Sequence, residues 1–316
     1  MHDEFAKIEW LKTRFELDAK PEGVVVGIGD DAAVFNFGNR PTVITVDTQV
    51  EGVHFRGDMI SPRDLGRRAM VAAASDVWAM AAMPSASTIA LTLPPDLSEQ
   101  QFRELIEGLA GAARLVGARV IGGNLSRGEA LSVTTTVFGL PIGRPLTRAG
   151  AHPGDAVYVT GTVGAAALGL AILDTKRTEI EHAERFIERW RRPPINGHAV
   201  KTLAAVATAA VDLSDGCLQD LQHLCKASGV GARIYADALP TAPGHSTTSE
   251  ALGLNPLDLA LAGGEDYELL FTAPASSDAE AVGTKIGEIT SGNLIEVLDA
   301  SGHPVEVKRS GFRHFS

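Results

Sequence analysis
A chain of 316 residues is long for one hydrophobic core, and 45% apolar residues with 33 glycines and 5% aromatics predict a folded protein of tight turns and closely packed helices. The formal charge of −11 argues against nucleic acid or an anionic membrane as partner and suits a protein that gathers cations. Acids interrupt the apolar residues of segment 1–15 and no run of 18 apolar residues follows, so the expectation is a soluble, cytoplasmic protein with no membrane partner.

Taken in order, Phe5, Ile8, Leu11 and Phe15 have helical spacing and predict a helix that docks one face. Val24, Val25 and Val26 read as a short buried strand, followed by Gly27-Ile28-Gly29-Asp30-Asp31. Two adjacent carboxylates behind a glycine turn repel each other unless a cation sits between them, and hard oxygen ligands of this kind suit Mg²⁺. An acidic surface turn is the competing account of that stretch taken alone. A second strand, 43–48, ends near Asp47, and Glu51-Gly52-Val53-His54-Phe55 is expected to continue it. Pro62 behind Ser61 opens a helix whose Leu65, Ala69, Ala72, Asp76 and Met80 share one stripe. An acid facing inward there needs a partner or a metal, and neither Arg67 nor Arg68 falls on the same stripe. Pro84 is expected to end this helix and 88–93 to form a strand. Ser98 and Gln101 form a capping box for the helix of Phe102, Leu105, Leu109 and Ala113. Residues 120–128 read as a buried strand broken by Gly122-Gly123, where paired glycines let backbone approach a phosphate. Strand 131–140 and the Pro- and Gly-containing segment 141–145 then close a first domain.

The second half restarts at Arg148 and strand 157–160. Gly161-Thr-Val-Gly164 lacks the Lys-Ser/Thr of a phosphate-binding loop and reads as close helix packing. Helices are expected up to Pro193-Pro194 and over 198–210. Val211-Asp212-Leu213-Ser214-Asp215-Gly216 again ends a strand in two acids beside a glycine, and the helix after it should end at Gly229. Cys217 and Cys225, eight residues apart on that helix and so about 12 Å apart along its axis, cannot pair and should be buried thiols. Gly263-Gly264-Glu265-Asp266 makes a further acidic corner before a strand at 267–272, and 295–307 reads as a hairpin turning at Ser301-Gly302. So many acids beside turns, with Asp76 from a helix, point to one multi-metal phosphate site.

These motifs, in this order, resemble the thiamine-monophosphate kinase family of the PurM-like ATP-dependent superfamily from end to end. The resemblance rests on Gly-Ile-Gly-Asp-Asp at 27, Asp47-Thr48 with Glu51-Gly-Val-His-Phe, Ser75-Asp76, Gly122-Gly123, Arg148, Asp212-Leu-Ser-Asp-Gly216 and Gly263-Gly-Glu-Asp-Tyr-Glu-Leu269. It implies an α/β architecture of two domains, 1–147 and 148–316, the first forming a β-barrel with a second subunit of a homodimer. It further implies Mg²⁺-assisted, in-line transfer of the ATP γ-phosphate to thiamine phosphate, with no covalent nucleophile on the protein. By similarity Asp30, Thr45, Asp47, Asp76, Asp212 and Asp215 hold Mg²⁺, Gly123, Asn124, Arg148 and Ser214 touch ATP, and His54, Glu265 and Phe312 face thiamine phosphate. Asn124 stands where the family usually has Asp; its amide oxygen can still ligate Mg²⁺ but brings no charge, and its NH₂ can instead donate to a phosphate. A non-catalytic nucleotide or thiamine-phosphate binder, or another PurM-like ATP-dependent enzyme, is the alternative.

Overall fold
The structure, a computed structural model, describes residues 4–15 and 22–307. Helix α1 (Glu4–Phe15) leads into strands β1 (Val24–Val26), β2 (Ala33–Phe37) and β3 (Arg40–Val50), then α2 (Pro62–Ala79), β4 (Ala82–Leu93), α3 (Glu99–Val116), β5 (Arg119–Arg127) and β6 (Ser132–Pro141). The six strands form one sheet in the order β1-β2-β3-β6-β4-β5, antiparallel except for the β4–β5 pair at one edge. Helices α2 and α3 pack together against it. Their contact is close because Gly66 and Gly108 stand where a Cβ would meet the Leu105 and Arg63 carbonyl oxygens at 2.3 and 1.9 Å.

The second half contributes β7 (Asp155–Val159), α4 (Ala165–Thr175), α5 (Ala183–Arg191), α6 (Val200–Val206), β8 (Ala209–Asp212), α7 (Cys217–Ser228), β9 (Gly231–Tyr235), α8 (His245–Ala251), α9 (Pro256–Ala262), β10 (Leu269–Pro274), β11 (Thr284–Thr290) and β12 (Ile295–Leu298). Its sheet runs β12-β9-β11-β7-β10-β8, with β12 parallel to β9 and the other pairs antiparallel. One apolar core joins the halves: Met70, Val77 and Trp78 of α2 belong to the same cluster as Tyr158, Leu269 and Phe271 of the second sheet. Burying such side chains stabilises each by roughly 1.5–3 kcal/mol relative to exposure, so α2 is fixed from both sides. That helix also carries Asp76.

Several boundaries follow from local chemistry. Ser61 caps α2 with Pro62 at N1, and Ser98 and Gln101 make both hydrogen bonds of the capping box on α3. Helix α7 ends at Gly229, φ 69°, and both cysteines on it are buried and unpaired. Gly164, the N-cap of α4 at φ 78°, lies where a Cβ would stand 2.8 Å from the backbone of Ala260, which makes 161–164 a packing contact as expected.

Other expectations are corrected. Helix α2 stops at Ala79, ahead of Pro84, because Ala81 adopts φ 52° and turns the chain; Pro84 sits at a β-bulge, where its missing N–H is tolerated. Residues 51–55 leave the strand as a turn closed by Gly52 N–H to the Phe55 carbonyl. Strand β5 shifts register at Ile121, just ahead of Gly122-Gly123, but continues through the glycines, and it is an edge strand exposed along its length. The helix expected over 198–210 is α6, which ends at Val206 so that β8 can begin at Ala209. Tyr267, at φ 50°, lies outside β10; the expected hairpin at Ser301-Gly302 is present, with Asp299 N–H donating to the His303 carbonyl and Val305 N–H to the Val297 carbonyl, and β12 also pairs with β9. Leu11 and Phe15 are 38% and 70% exposed, so that side of α1 is not docked within one chain.

Candidate active site
The acids converge because strand ends and one helix meet over the shared core. Gly29, at φ 118°, turns the chain after β1 and delivers Asp30 and Asp31; β3 supplies Thr45 and Asp47, α2 supplies Ser75 and Asp76, and β8 ends at Asp212. One carboxylate oxygen each from Asp31, Asp76 and Asp212 lies within 4.8 Å of the others. Thr45 donates to Asp76 at 2.6 Å and Ser75 to Asp212 at 2.6 Å. Asp31 Oδ2 is sealed from solvent and has no hydrogen-bond donor among the described residues.

Such a cluster resists ionisation on its own. Burial, then the neighbouring Asp31, raises Asp212 to about 7; burial, then Asp212 and Asp31, pushes Asp76 well up. Burial, then Asp31, lifts Asp30 to about 6. Arg148 supplies the counter-charge: its guanidinium donates to Asp31, 3.0 Å from Nε, while its backbone N–H reaches Asp30 at 3.2 Å. One cation against three converging carboxylates leaves excess negative charge and an oxygen with no donor. The donor set, all hard oxygens, fits Mg²⁺ or a similar divalent ion.

Beside the cluster opens a cavity of about 340 Å³ lined by Asp47, His54, Asp76, Asp212, Ser214, Asp215 and Glu265, among others. His54 accepts the Val50 N–H on Nδ1 at 3.1 Å, which puts the proton of the neutral ring on Nε2. Glu265 sits at φ 70° and receives the Trp190 indole N–H at 2.8 Å and an Arg68 guanidinium N–H. Gly264 permits this corner because a Cβ there would lie 2.5 Å from the Ser214 carbonyl oxygen, which itself accepts the Glu265 N–H at 2.7 Å. Asp215 is positioned from behind by buried Asp220, whose carboxylate accepts the N–H groups of Asp215 and Gly216 at 3.2 and 3.1 Å.

Most of the residues expected at the site therefore meet, with three differences. Asp31 rather than Asp30 enters the carboxylate triad, because Asp30 turns to the backbone of Arg148. Gly123 and Asn124 stand apart within one chain: Gly123 shares a row with Asp47 through Thr135 and Ile89, three strand spacings or about 14 Å away. Phe312 lies outside the described residues. Sequence reading missed Arg68, which is fully buried and lies on the face of Asp76 after all, at i, i+4 and i+8 with Ala72. Its charge is spent on Glu265, and its guanidinium carbon stands 4.8 Å from the Trp190 ring and 5.7 Å from that of Tyr267. Asp266 and Glu268 serve the scaffold: Asp266 accepts the Gly164 and Ala166 N–H groups at 2.5 and 2.9 Å, and Glu268 accepts from Thr160, Asn196 and Arg189.

Residues 29–141 match the model of the AIR synthase related protein N-terminal domain, and 152–300 that of its C-terminal domain. The thiamine-monophosphate kinase of Salmonella typhimurium is 40% identical over 314 residues, covering 93% of each chain, and that of Aquifex aeolicus is 34% identical, covering 99% of this chain and 98% of its own. This chain belongs to the thiamine-monophosphate kinase family. A solved structure of AaThiL complexed with AMPPCP and TMP superposes with a TM-score of 0.89 at 33% identity, over 99% of this chain and 97% of that one. The two mixed sheets are thus those of a thiamine-monophosphate kinase, in the PurM-like α/β arrangement.

Proposed function
We propose that this chain is a kinase that transfers the γ-phosphate of ATP to thiamine phosphate, giving thiamine diphosphate and ADP. The observation that carries the reading is the triad of Asp31, Asp76 and Asp212, with Arg148 behind it and a cavity holding His54 and Glu265 in front. Phosphoryl transfer needs in-line positioning and charge neutralisation more than covalent chemistry. Asp31, Asp76 and Asp212, with Thr45, Asp47 and Asp215 beside them, are the residues that would hold Mg²⁺. When bound, Mg²⁺ supplies the positive charge that lets two anionic substrates meet.

Each remaining group has a task that its surroundings support. Arg148 and Ser214 flank the acids on the side expected to take ATP. His54 presents Nε2–H, a donor for a phosphate oxygen, and Glu265 presents a fixed carboxylate to the cationic ring of thiamine phosphate. Arg68 and Trp190 fix that carboxylate by two hydrogen bonds, so little side-chain freedom is lost on binding.

The reading extends to a two-domain division at 147/148 and a homodimer. Strand β5 supports the dimer, being an unpaired edge whose Val120, Ile121 and Leu125 are 47%, 68% and 64% exposed. In such a dimer Gly123 and Asn124 serve nucleotide bound at the subunit boundary, which accounts for their distance from Asp47 in one chain. Incubating the protein with γ-labelled ATP, thiamine phosphate and Mg²⁺ tests the reading: label is expected in thiamine diphosphate, with none on the protein. Binding of both substrates without labelled product would favour the non-catalytic binder.

A further inference from the structure
A second cavity lies away from the carboxylate site. It has a volume of about 640 Å³ and shares no lining residue with the acidic cavity. Five arginines line it, Arg63 and Arg67 from α2, Arg185 and Arg189 from α5, and Arg192 just past the end of α5. Three of these are neutralised: Arg63 pairs with Glu107, Arg189 with Glu268, and Arg192 with Asp64 and Glu188 at 2.7 and 3.0 Å. The other two have no carboxylate partner among the described residues. Arg67 donates only to the Pro193 carbonyl at 3.3 Å, and Arg185 only to the Pro243 carbonyl at 2.9 Å. Arg67 Nε is buried with no acceptor among the described residues.

Two guanidiniums held only by backbone carbonyls line one cavity alongside the paired Asp64, Glu107 and Glu188, and an anion there would satisfy N–H groups that no carboxylate takes. Burial, then nearby Arg192, lowers the pKa of Arg67, against the smaller opposing pull of Asp64 and Glu188. On the α3 side the floor is small and apolar, made by Gly108, Gly111, Ala112 and Leu115, and a Cβ at Gly111 would meet nothing within 4 Å. One wall thus suits an anion and the floor suits a ring or chain.

We infer that this cavity is a second ligand site, separate from the carboxylate site, that takes a small organic phosphate on Arg67 and Arg185. Phosphate fits better than carboxylate because the two guanidiniums come from different helices, and a tetrahedral group offers oxygens in more than one direction. The volume is that of an ordinary small-molecule site. The same two helices carry Arg68 and Trp190, which hold Glu265 on the opposite side, so an occupant abuts the elements that position the active site.

Calorimetric titration of the full chain with inorganic pyrophosphate, in EDTA so that the carboxylate triad repels the probe, tests the inference. Binding of one equivalent per chain is expected, weakened about tenfold or more in Arg67→Ala and in Arg185→Ala. Arg185 is exposed, so its replacement leaves the fold intact and the result readable even if Arg67→Ala is unstable. Absence of binding, unchanged affinity in Arg185→Ala, or loss confined to Arg148→Ala would overturn it.

Discussion

The Thr45 hydroxyl donates to Asp76 at 2.6 Å and so ties strand β3 to helix α2 at the edge of the carboxylate triad. This bond fixes the carboxylate of Asp76, one of whose oxygens converges with Asp31 and Asp212. Thr45→Val removes the donor while keeping the shape. Half-maximal turnover should then need several-fold more Mg²⁺, with the maximal rate falling far less than in Asp76→Asn. Stability should drop by about 1–3 kcal/mol, the usual effect of an unmatched buried acceptor. Turnover against Mg²⁺ for the two variants checks this; an unchanged Mg²⁺ midpoint in Thr45→Val would remove the bond from the site's function.

Arg68 is fully buried, yet its partner Glu265 reaches the cavity beside the carboxylate triad. Arg68→Met should raise KM for thiamine phosphate by about tenfold or more while leaving KM for ATP nearly unchanged, because it frees Glu265 rather than the triad. Adding Glu265→Gln should recover part of the lost stability, since the uncompensated carboxylate is then gone, but none of the lost affinity. Steady-state kinetics and denaturant unfolding of the single and double variants provide the measurement. Equal rises in both KM values would contradict the positioning role.

Burial, then Asp31, raises folded Asp212 to about 7 from its ordinary 3.8. A carboxylate with a raised folded pKa contributes stability at pH below 3.8 that is lost as pH rises to about 7, because only the folded state holds the proton in that window. In EDTA, therefore, Asp212→Asn should melt above the unaltered protein at pH 8, by a few degrees, with the gap narrowing toward pH 4. Mg²⁺ should raise the melting temperature of the unaltered protein more at pH 8 than at pH 5, since the cation binds the ionised form. Melting curves at the three pH values, with and without Mg²⁺, decide it; an Asn variant that melts lower at pH 8 in EDTA would refute the account of the cluster.

Much of this was legible in the residues because local rules and tertiary structure agree. Ser61-Pro62, Ser98 with Gln101, and Gly229 placed helix ends through capping chemistry that needs no distant partner. Acids beside glycines marked Asp212, Asp215 and Glu265 because that pairing is poor for a core. What escaped depends on which side of a turn a side chain leaves. Asp30 and Asp31 are chemically identical in sequence, and only the φ of 118° at Gly29 and the path of Arg148 decide that Asp31 enters the triad. Arg68 was hidden because its partner stands 197 residues away. The Gly-Gly of β5 looked like a break, and the strand does bulge beside it at Ile121, yet its ladder to β4 resumes at Gly122.

Asp31, Asp76 and Asp212 converge while Asp30 turns to the Arg148 backbone, so the proposed metal centre leaves Asp30 out. Mn²⁺ titration followed by electron paramagnetic resonance, on the unaltered protein and on Asp31→Asn and Asp30→Asn, addresses this without reliance on turnover. The account predicts saturable Mn²⁺ binding that weakens by about tenfold or more in Asp31→Asn and changes little in Asp30→Asn, since only the former removes a converging carboxylate. Loss of binding in Asp30→Asn with retention in Asp31→Asn would contradict it.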